Sequence, residues 1–439
     1  MYVPGSAGLG IILFFLWGLA ACGSFLILKD ENNWPLPNWI WPLFFGISLV
    51  LLLLNTQVMY AGLATSNPVL LNKGPIRVFP NNLAFYLSLS IWLCMGSLAA
   101  SLITWRSAKE SLNWGLCLVS LIAASHLIVL RLVPFPFIDV FTAISEASVA
   151  LLEVRNPYQI SFTDIYQGQG ITPSGFGYLP GLFPWAAAGM VLAGDIRVGN
   201  FLALLGIALI FLLAPGTKNY PRIFYLSGLL FAGGAGLFVA EQAWIDPILA
   251  FLIFASAWLV VREKTGWAAI LAGLLCATKQ YGVVAFCFLL LMVWNRQGGR
   301  LAVKFFSLAF FTGVLVQLPF CLWGFQDYWN AVLIGVGKLP FRPDAYTLLS
   351  LANAKGISIR GFPFLGPLVF LGLFFQCRRL RIADPGIIML AASVSYMAIF
   401  LTNRHAFCNY YQLVFLILVC ALFFMEFFND PVSGKQKSK

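Results

Sequence analysis

Long apolar stretches broken by short polar segments run along the whole chain. Leu9 to Leu28, Trp39 to Leu54 and Tyr410 to Phe424 carry no charged residue, and each is near the roughly 20 residues that cross a bilayer as a helix. A strand barrel would instead alternate apolar and polar positions over short segments. The pattern predicts four spans near 8–28, 38–62, 84–104 and 112–133, then apolar runs near 179–194, 197–214, 223–243 and 246–261. The stretch from Trp267 to Trp294 is too long for one simple crossing, and Lys279-Gln280 lies near its middle. That predicts a helical hairpin with Lys279 at the tip. Spans near 302–323, 362–376, 386–402 and 409–428 complete the series. The expected fold is all-α, a polytopic transmembrane helix bundle of about 11 to 13 spans.

Composition agrees with that pattern. Hydrophobic residues make up 60% of the chain and charged residues only 10%, against the roughly 25% charged of a soluble protein. The net charge of +11 does not point to nucleic acid, because the basic residues are scattered through short loops rather than gathered on one domain. Arg262/Lys264, Arg296/Arg300/Lys304, Arg378/Arg379/Arg381 and Lys435/Lys437/Lys439 fit the cytoplasmic excess of Lys and Arg beside membrane spans. With the basic tail 431–439 cytoplasmic, the loops at 403–409, 326–360, 278–280 and 241–246 fall on the opposite side, and the loop after span four joins them if Arg106 and Lys109 are cytoplasmic. Two consequences follow: Lys73 and Arg77 land outside, and the run at 179–194 is re-entrant or incompletely spanning. The first apolar stretch lacks a basic flank and is expected to remain as a span rather than be cleaved. The nine cysteines sit almost entirely in apolar runs with no CxxC pair, so they are expected to be small core residues rather than disulfides or metal ligands.

The regular alternation breaks at 134–178. This loop carries Asp139, Glu146, Glu153 and Asp164, the turn Asn156-Pro157-Tyr158 and a Gly/Ser/Thr/Pro stretch up to Gly177. Asp139, Glu146 and Glu153 recur every seven residues, which puts them on one helical face with Thr142 and Ser145, while Phe141, Ile144, Ala147 and Leu151 line the other. An amphipathic helix at the interface is expected, its acidic stripe either simply solvated or turned into a cavity. Lys279 is a charge midway through an apolar run, which is expensive in lipid and marks a functional candidate; snorkelling from a helix end is the alternative. Glu241 and Asp246 flank a helix boundary and either line a cavity or mark exposed span ends. His126, alone in span four, is expected to be a packed, hydrogen-bonded residue, and no metal site is expected. No Walker loop or dinucleotide fingerprint occurs, which argues against nucleotide sugars as donors.

Several short motifs recur in a telling order. Phe137-Ile138-Asp139, then Arg155-Asn156-Pro157-Tyr158, then Gly177-Tyr178-Leu179-Pro180, then an apolar run ending Ala193-Gly194-Asp195 resembles the first outer loop of integral membrane glycosyltransferases of the GT-C class. The closest likeness is to the branch of bacterial polyprenol-phosphate-mannose-dependent mannosyltransferases, glycosyltransferase family 87. Glu241-Gln242-Ala243-Trp244-Ile245-Asp246 and Ala272-Gly273-Leu274 through Ala277-Thr278-Lys279-Gln280 are similar to later motifs of that branch. The likeness covers roughly 120–425. It implies N-terminal additional helices over 1–110, a GT-C-like catalytic core over 111–430 with its first extracytoplasmic loop at 134–178, and the tail 431–439.

What the resemblance implies is a hexosyltransferase of the cell envelope, multi-pass in the bacterial plasma membrane, its site facing away from the cytoplasm. It would move mannose or another hexose or pentose from a polyprenyl-phosphate sugar to a glycolipid or glycan acceptor, with inversion and no cofactor. Such a reaction needs a carboxylate to take the acceptor proton, and Asp139 is the candidate base. It also needs cations or donors for the departing lipid phosphate, for which Lys279, Arg404, His405 and Arg342 are candidates. Arg404 and His405 otherwise belong to an ordinary interfacial belt, and Arg342 otherwise pairs with Asp344. Glu146, Glu153, Asn156, Tyr158, Tyr178, Glu241 and Asp246 would support the site or the acceptor. A secondary transporter or lipid flippase is the competing class, yet the paired repeats common in transporters are not evident. An envelope-polymer polymerase or ligase would share the donor chemistry.

Overall fold

The computed structural model describes residues 126–127, 129–131, 133–165, 175–213, 234–335, 341–342, 345–357 and 361–428. The expected spans near 8–28, 38–62 and 84–104, most of the one near 112–133 and the tail 431–439 lie outside the described residues. The described chain is built of helices and the turns between them: α1 Asp139–Leu152, α2 Phe183–Ala193, α3 Arg197–Leu213, α4 Gly234–Glu241, α5 Asp246–Val261, α6 Thr265–Thr278, α7 Gly282–Gln297, α8 Gly299–Trp329, α9 Leu348–Ala354, α10 Leu365–Arg379, α11 Pro385–Thr402 and α12 Cys408–Phe428. Short 3₁₀ turns precede α2 and α10, and a π turn, Asn330–Gly335, extends α8.

Three of these stretches, Gly299–Gly335, Pro385–Thr402 and Cys408–Met425, are long and apolar enough to cross a membrane. A fourth candidate is the pair Pro180–Ala193 and Arg197–Phe211, bent by 109°. The bend falls at Gly194, whose φ of 70° is the left-handed helix cap that glycine favours, and it makes the run at 179–194 a short arm rather than a crossing. The hairpin expected over 267–294 is α6 and α7, of 14 and 16 residues. At 1.5 Å per residue they measure about 21 and 24 Å, short of the roughly 30 Å of hydrocarbon. The break between them is Lys279, whose extended backbone ends α6.

The ends of the helices sort by chemistry. At one end lie Arg262, Thr265, Gln297 and the 378–384 turn, tied together across elements: Thr265 Oγ1 donates to Gln297 Oε1 at 2.5 Å, Gln297 Nε2 to the Val260 carbonyl at 2.9 Å, and Arg296 Nη1 to the Ala383 carbonyl at 3.1 Å. Asp384 caps α11 there by accepting from the Gly386 and Ile387 amides at 2.7 and 3.1 Å. At the other end lie the start of α5, the hairpin tip and the turn between α11 and α12.

α5 is apolar around its whole circumference and buried along most of its length, packed by α3, α6 and α12. α8 and α10 lie outside and expose Phe306, Phe310, Phe311, Leu322, Leu368 and Phe375, faces suited to hydrocarbon rather than water. α6 and α8 approach closely because Gly273 has no side chain: a Cβ there would stand 2.7 Å from Thr312 Cβ and closer still to the Ala309 carbonyl oxygen. Gly273→Val is therefore expected to push the two helices apart and destabilise the protein by about 1–3 kcal/mol. Thermal unfolding in detergent measures this, and an unchanged midpoint would mean that the helices do not pack this way.

Candidate functional site

The site forms where three breaks in the helices meet. The first is the turn at 242–245 between α4 and α5, in which Ala243 takes a left-handed backbone with φ 59°, uncommon for a residue bearing a Cβ. It delivers Asp246 as the first residue of α5, fully buried, where the positive end of the helix favours a carboxylate. The second is the hairpin tip carrying Lys279 and Tyr281. The third is the turn into α12, which supplies Asn409 and Tyr410.

Asp246 gathers these pieces. Its Oδ1 lies 3.5 Å from Lys279 Nζ and accepts from the Tyr281 hydroxyl, and its Oδ2 accepts from Asn409 Nδ2 at 2.6 Å. The Lys279 ammonium also sits among three phenol rings, 4.7 Å from the centroid of Tyr281, 5.1 Å from Tyr410 and 5.8 Å from Tyr178, within the range of cation–π attraction. Behind them, the Tyr396 hydroxyl donates to the Tyr281 carbonyl at 2.9 Å and accepts from the Ala285 amide at 3.2 Å, which fixes the first turn of α7.

The loop over 134–178 docks on this tip. Gln280 Nε2 donates to the Gly177 carbonyl at 3.0 Å and the Val332 carbonyl at 3.2 Å. Gly181 rests directly on the end of α6, for a Cβ there would be 2.7 Å from Thr278 Oγ1 and the Ala277 carbonyl. Tyr158 donates to the Tyr178 carbonyl at 2.9 Å and is packed among Phe176, Phe183, Phe320 and Tyr328. Asn156 accepts from the Tyr158 amide at 3.0 Å, so Asn-Pro-Tyr is a side-chain-locked turn. These contacts hold Tyr178 between the hairpin tip and the start of α1. Burial and the nearby Asp139, Tyr410 and Asp246 push the Tyr178 phenol well above its ordinary value, so it stays a neutral hydrogen-bonding group.

Asp139 opens α1, partly buried, with its Oδ1 accepting from the Val140 amide at 2.9 Å. Its helix is fastened by a residue that the sequence pattern does not single out. Arg197 is buried, pairs with Asp195 at 2.5 Å, donates to the carbonyls of Val133, Glu241 and Leu130 at 2.8, 3.2 and 3.3 Å, and lies 5.1 Å over the Phe141 ring. Arg197 stands at the break between two apolar runs, as the first residue of α3. Its donors are spent on backbone carbonyls and one carboxylate, a structural clamp joining residues 130–133, α1, α3 and α4.

The remaining expected site residues take other places. Glu146 accepts from the Thr163 amide at 3.0 Å and the Thr163 hydroxyl at 2.5 Å, closing the outer loop on itself. Glu153, just past α1, is exposed and paired with Arg155. Thr142 and Ser148 are buried with Phe141, Ile144, Ala147 and Ala150, so the inner face of α1 is wider than the seven-residue spacing implies. Glu241 and Asp246 are both buried, which excludes their being exposed span ends. Arg342 lies 5.1 Å over the Phe407 ring, while Asp344 lies outside the described residues. Arg404 is exposed and His405 partly buried. His126 is buried near Phe201, and no cluster of potential metal ligands occurs among the described residues. Tyr281, Asn409 and Tyr410 join the site without having been singled out. No family model, curated protein or solved structure matches the chain.

Proposed function

We propose that this protein is an integral membrane glycosyltransferase that moves a hexose or pentose, mannose among them, from a polyprenyl phosphate to a hydroxyl of a glycolipid or glycan on the extracytoplasmic side, with inversion. The observation that carries this reading is that Tyr178 lies 5.8 Å from the lysine on the tip of a short hairpin and within electrostatic reach of Asp139, the acid that opens α1. Transfer needs that pair of charges. Asp139 takes the proton of the acceptor hydroxyl while the acceptor oxygen bonds to the anomeric carbon, and the bond from that carbon to the phosphate oxygen breaks, its electrons leaving with the lipid phosphate. The Lys279 ammonium offsets the charge that develops on that phosphate. Arg404, His405 and Arg342 would serve the headgroup nearer the surface.

The arms of the hairpin support the lipid donor: at about 21 and 24 Å they are shorter than the roughly 30 Å of hydrocarbon, so a tip reached from the cytoplasmic side would lie near the boundary where a lipid phosphate sits. A second reading, a transporter or flippase, is favoured by one feature: a buried Lys–Asp pair at helix breaks also marks ion pathways. Mass spectrometry of membrane glycolipids from cells with and without the protein tests the first reading. A glycolipid shortened by one sugar is expected in its absence, with the polyprenyl-phosphate sugar accumulating; an unchanged glycolipid profile would reject it.

The sidedness of the site is a separate expectation. Cysteines placed singly at 139, 279 and 404 in a cysteine-free background should react with an impermeant reagent from outside, and those at 300, 379 and 437 only from the cytoplasm. Labelling of position 279 from the cytoplasm alone would remove the proposed site.

A further inference from the structure

We infer that Asp246 is the positioning residue for Lys279: it holds the ammonium charged and aimed outward so that the lysine, and not the aspartate, meets the lipid phosphate. The inference rests on the glycosyltransferase reading and deepens it. The exposure of the pair is one-sided, with the Asp246 side chain wholly buried and 9% of the Lys279 side chain open. Solvent therefore reaches part of the lysine and none of the aspartate. Three donors already converge on the carboxylate, from Tyr281, Asn409 and Lys279, and they come from both ends of the hairpin break and from α12. Lys279 spends one direction on Asp246, and an ammonium has three hydrogens to give.

Burial alone disfavours a charged lysine, and a neutral amine would bind a phosphate poorly. The rings of Tyr178, Tyr281 and Tyr410 attract the cation without supplying a full counter-charge. Tyr396 and Cys408 also feel the Asp246 charge, and Tyr178 feels that of Asp139 as well. Asp246 is thus the one carboxylate within ion-pair distance of Lys279 among the described residues. Nothing in the sequence links the two positions.

Binding of farnesyl phosphate to the purified full-length protein, followed from about pH 7 to about pH 9 where the phosphate stays doubly ionised, reads this role without needing transfer. Wild-type binding is expected to be flat across the range. In Asp246→Asn it should weaken as pH rises, by up to about tenfold per pH unit once the lysine titrates. Adding Lys279→Arg to Asp246→Asn should make the profile flat again, since guanidinium does not deprotonate in this range; a side chain that merely supports the fold predicts no such rescue. A flat profile in Asp246→Asn, or tighter binding than wild type, overturns the positioning role and leaves the glycosyltransferase reading standing. If Asp246→Asn does not fold, wild type alone decides: alkaline weakening of its binding overturns the role. Wild-type binding that is flat in pH, joined to a complete lack of sugar transfer, would instead reject the enzyme and keep the Asp246–Lys279 assignment. No binding of farnesyl phosphate at any pH overturns both.

Discussion

Asp139→Asn is expected to insert, fold and bind donor, yet to transfer sugar about 10²- to 10⁴-fold more slowly, the usual contribution of a general base. Asn keeps the size and the hydrogen-bonding of the carboxylate at the start of α1 and loses only its affinity for a proton. That makes the substitution a clean separation of two roles. As the first residue of α1, Asp139 also stabilises the helix terminus and accepts from the Val140 amide at 2.9 Å. A residue acting only there would be replaced by Asn at the cost of its charge alone, about 0.3–1 kcal/mol of stability, because Asp139 follows the cap Ile138 as the first helical residue. The initial rate of transfer with saturating donor, compared at equal amounts of folded protein, checks the prediction. Near-normal turnover would assign Asp139 to the helix start and leave the base unidentified. Glu146→Gln provides the internal control, for its carboxylate is engaged by Thr163 and its loss should loosen the outer loop with a smaller effect on turnover.

Lys279→Ala carries the second large effect, and it acts on two quantities at once. Donor use should fall more than acceptor use, read as kcat/KM for each substrate, because the ammonium meets only the leaving phosphate. Removing it also leaves the Asp246 carboxylate buried with Tyr281 and Asn409 but no counter-charge. Breaking a buried pair by deleting one partner commonly destabilises by about 3–5 kcal/mol. Thermal unfolding therefore belongs beside the kinetics. Lys279→Arg keeps the charge and should recover part of both, limited by the fit of a planar guanidinium among three tyrosine rings. A Lys279→Ala protein of wild-type stability and wild-type donor use would mean that the side chain merely snorkels.

Both residues are visible in the sequence for the same reason: a charge in or beside an apolar run has no cheap place in a bilayer. The hairpin is visible too, since the apolar stretch around Lys279 exceeds one crossing and a polar dipeptide marks the fold-back. The alternation of sides along the loops requires 179–194 to be re-entrant or incompletely spanning, and the structure has a 109° bend after it. What the sequence conceals is partnership. Asp246 and Lys279 sit on different helices at no fixed spacing, and only the packing of α5 against the hairpin brings them to 3.5 Å. The same holds for Asn409 and Tyr410, which read as a membrane-interface belt until the turn into α12 is seen beside the tip. Arg197 stands at a break between two apolar runs, where nothing in the sequence marks it as buried, and its clamp on three backbone carbonyls shows that a buried charge marks a demand for partners, structural or catalytic. In α1 the seven-residue recurrence of acids hides the difference between Glu146, tied to Thr163, and Glu153, paired with Arg155 in solvent.

The central claim is that this chain forms a glycosidic bond. The most direct measurement supplies the purified protein in detergent micelles with a sugar-labelled polyprenyl-phosphate mannose and with lipids extracted from the membranes of cells that lack it. The label is expected to leave the polyprenyl phosphate and to appear on an extracted lipid with inverted anomeric configuration, and not to do so with Asp139→Asn. A transporter or flippase has no second compartment to serve in a micelle and would leave the label on its carrier. Folded wild-type protein that transfers neither mannose nor any other hexose or pentose from a polyprenyl phosphate to these lipids would contradict the account.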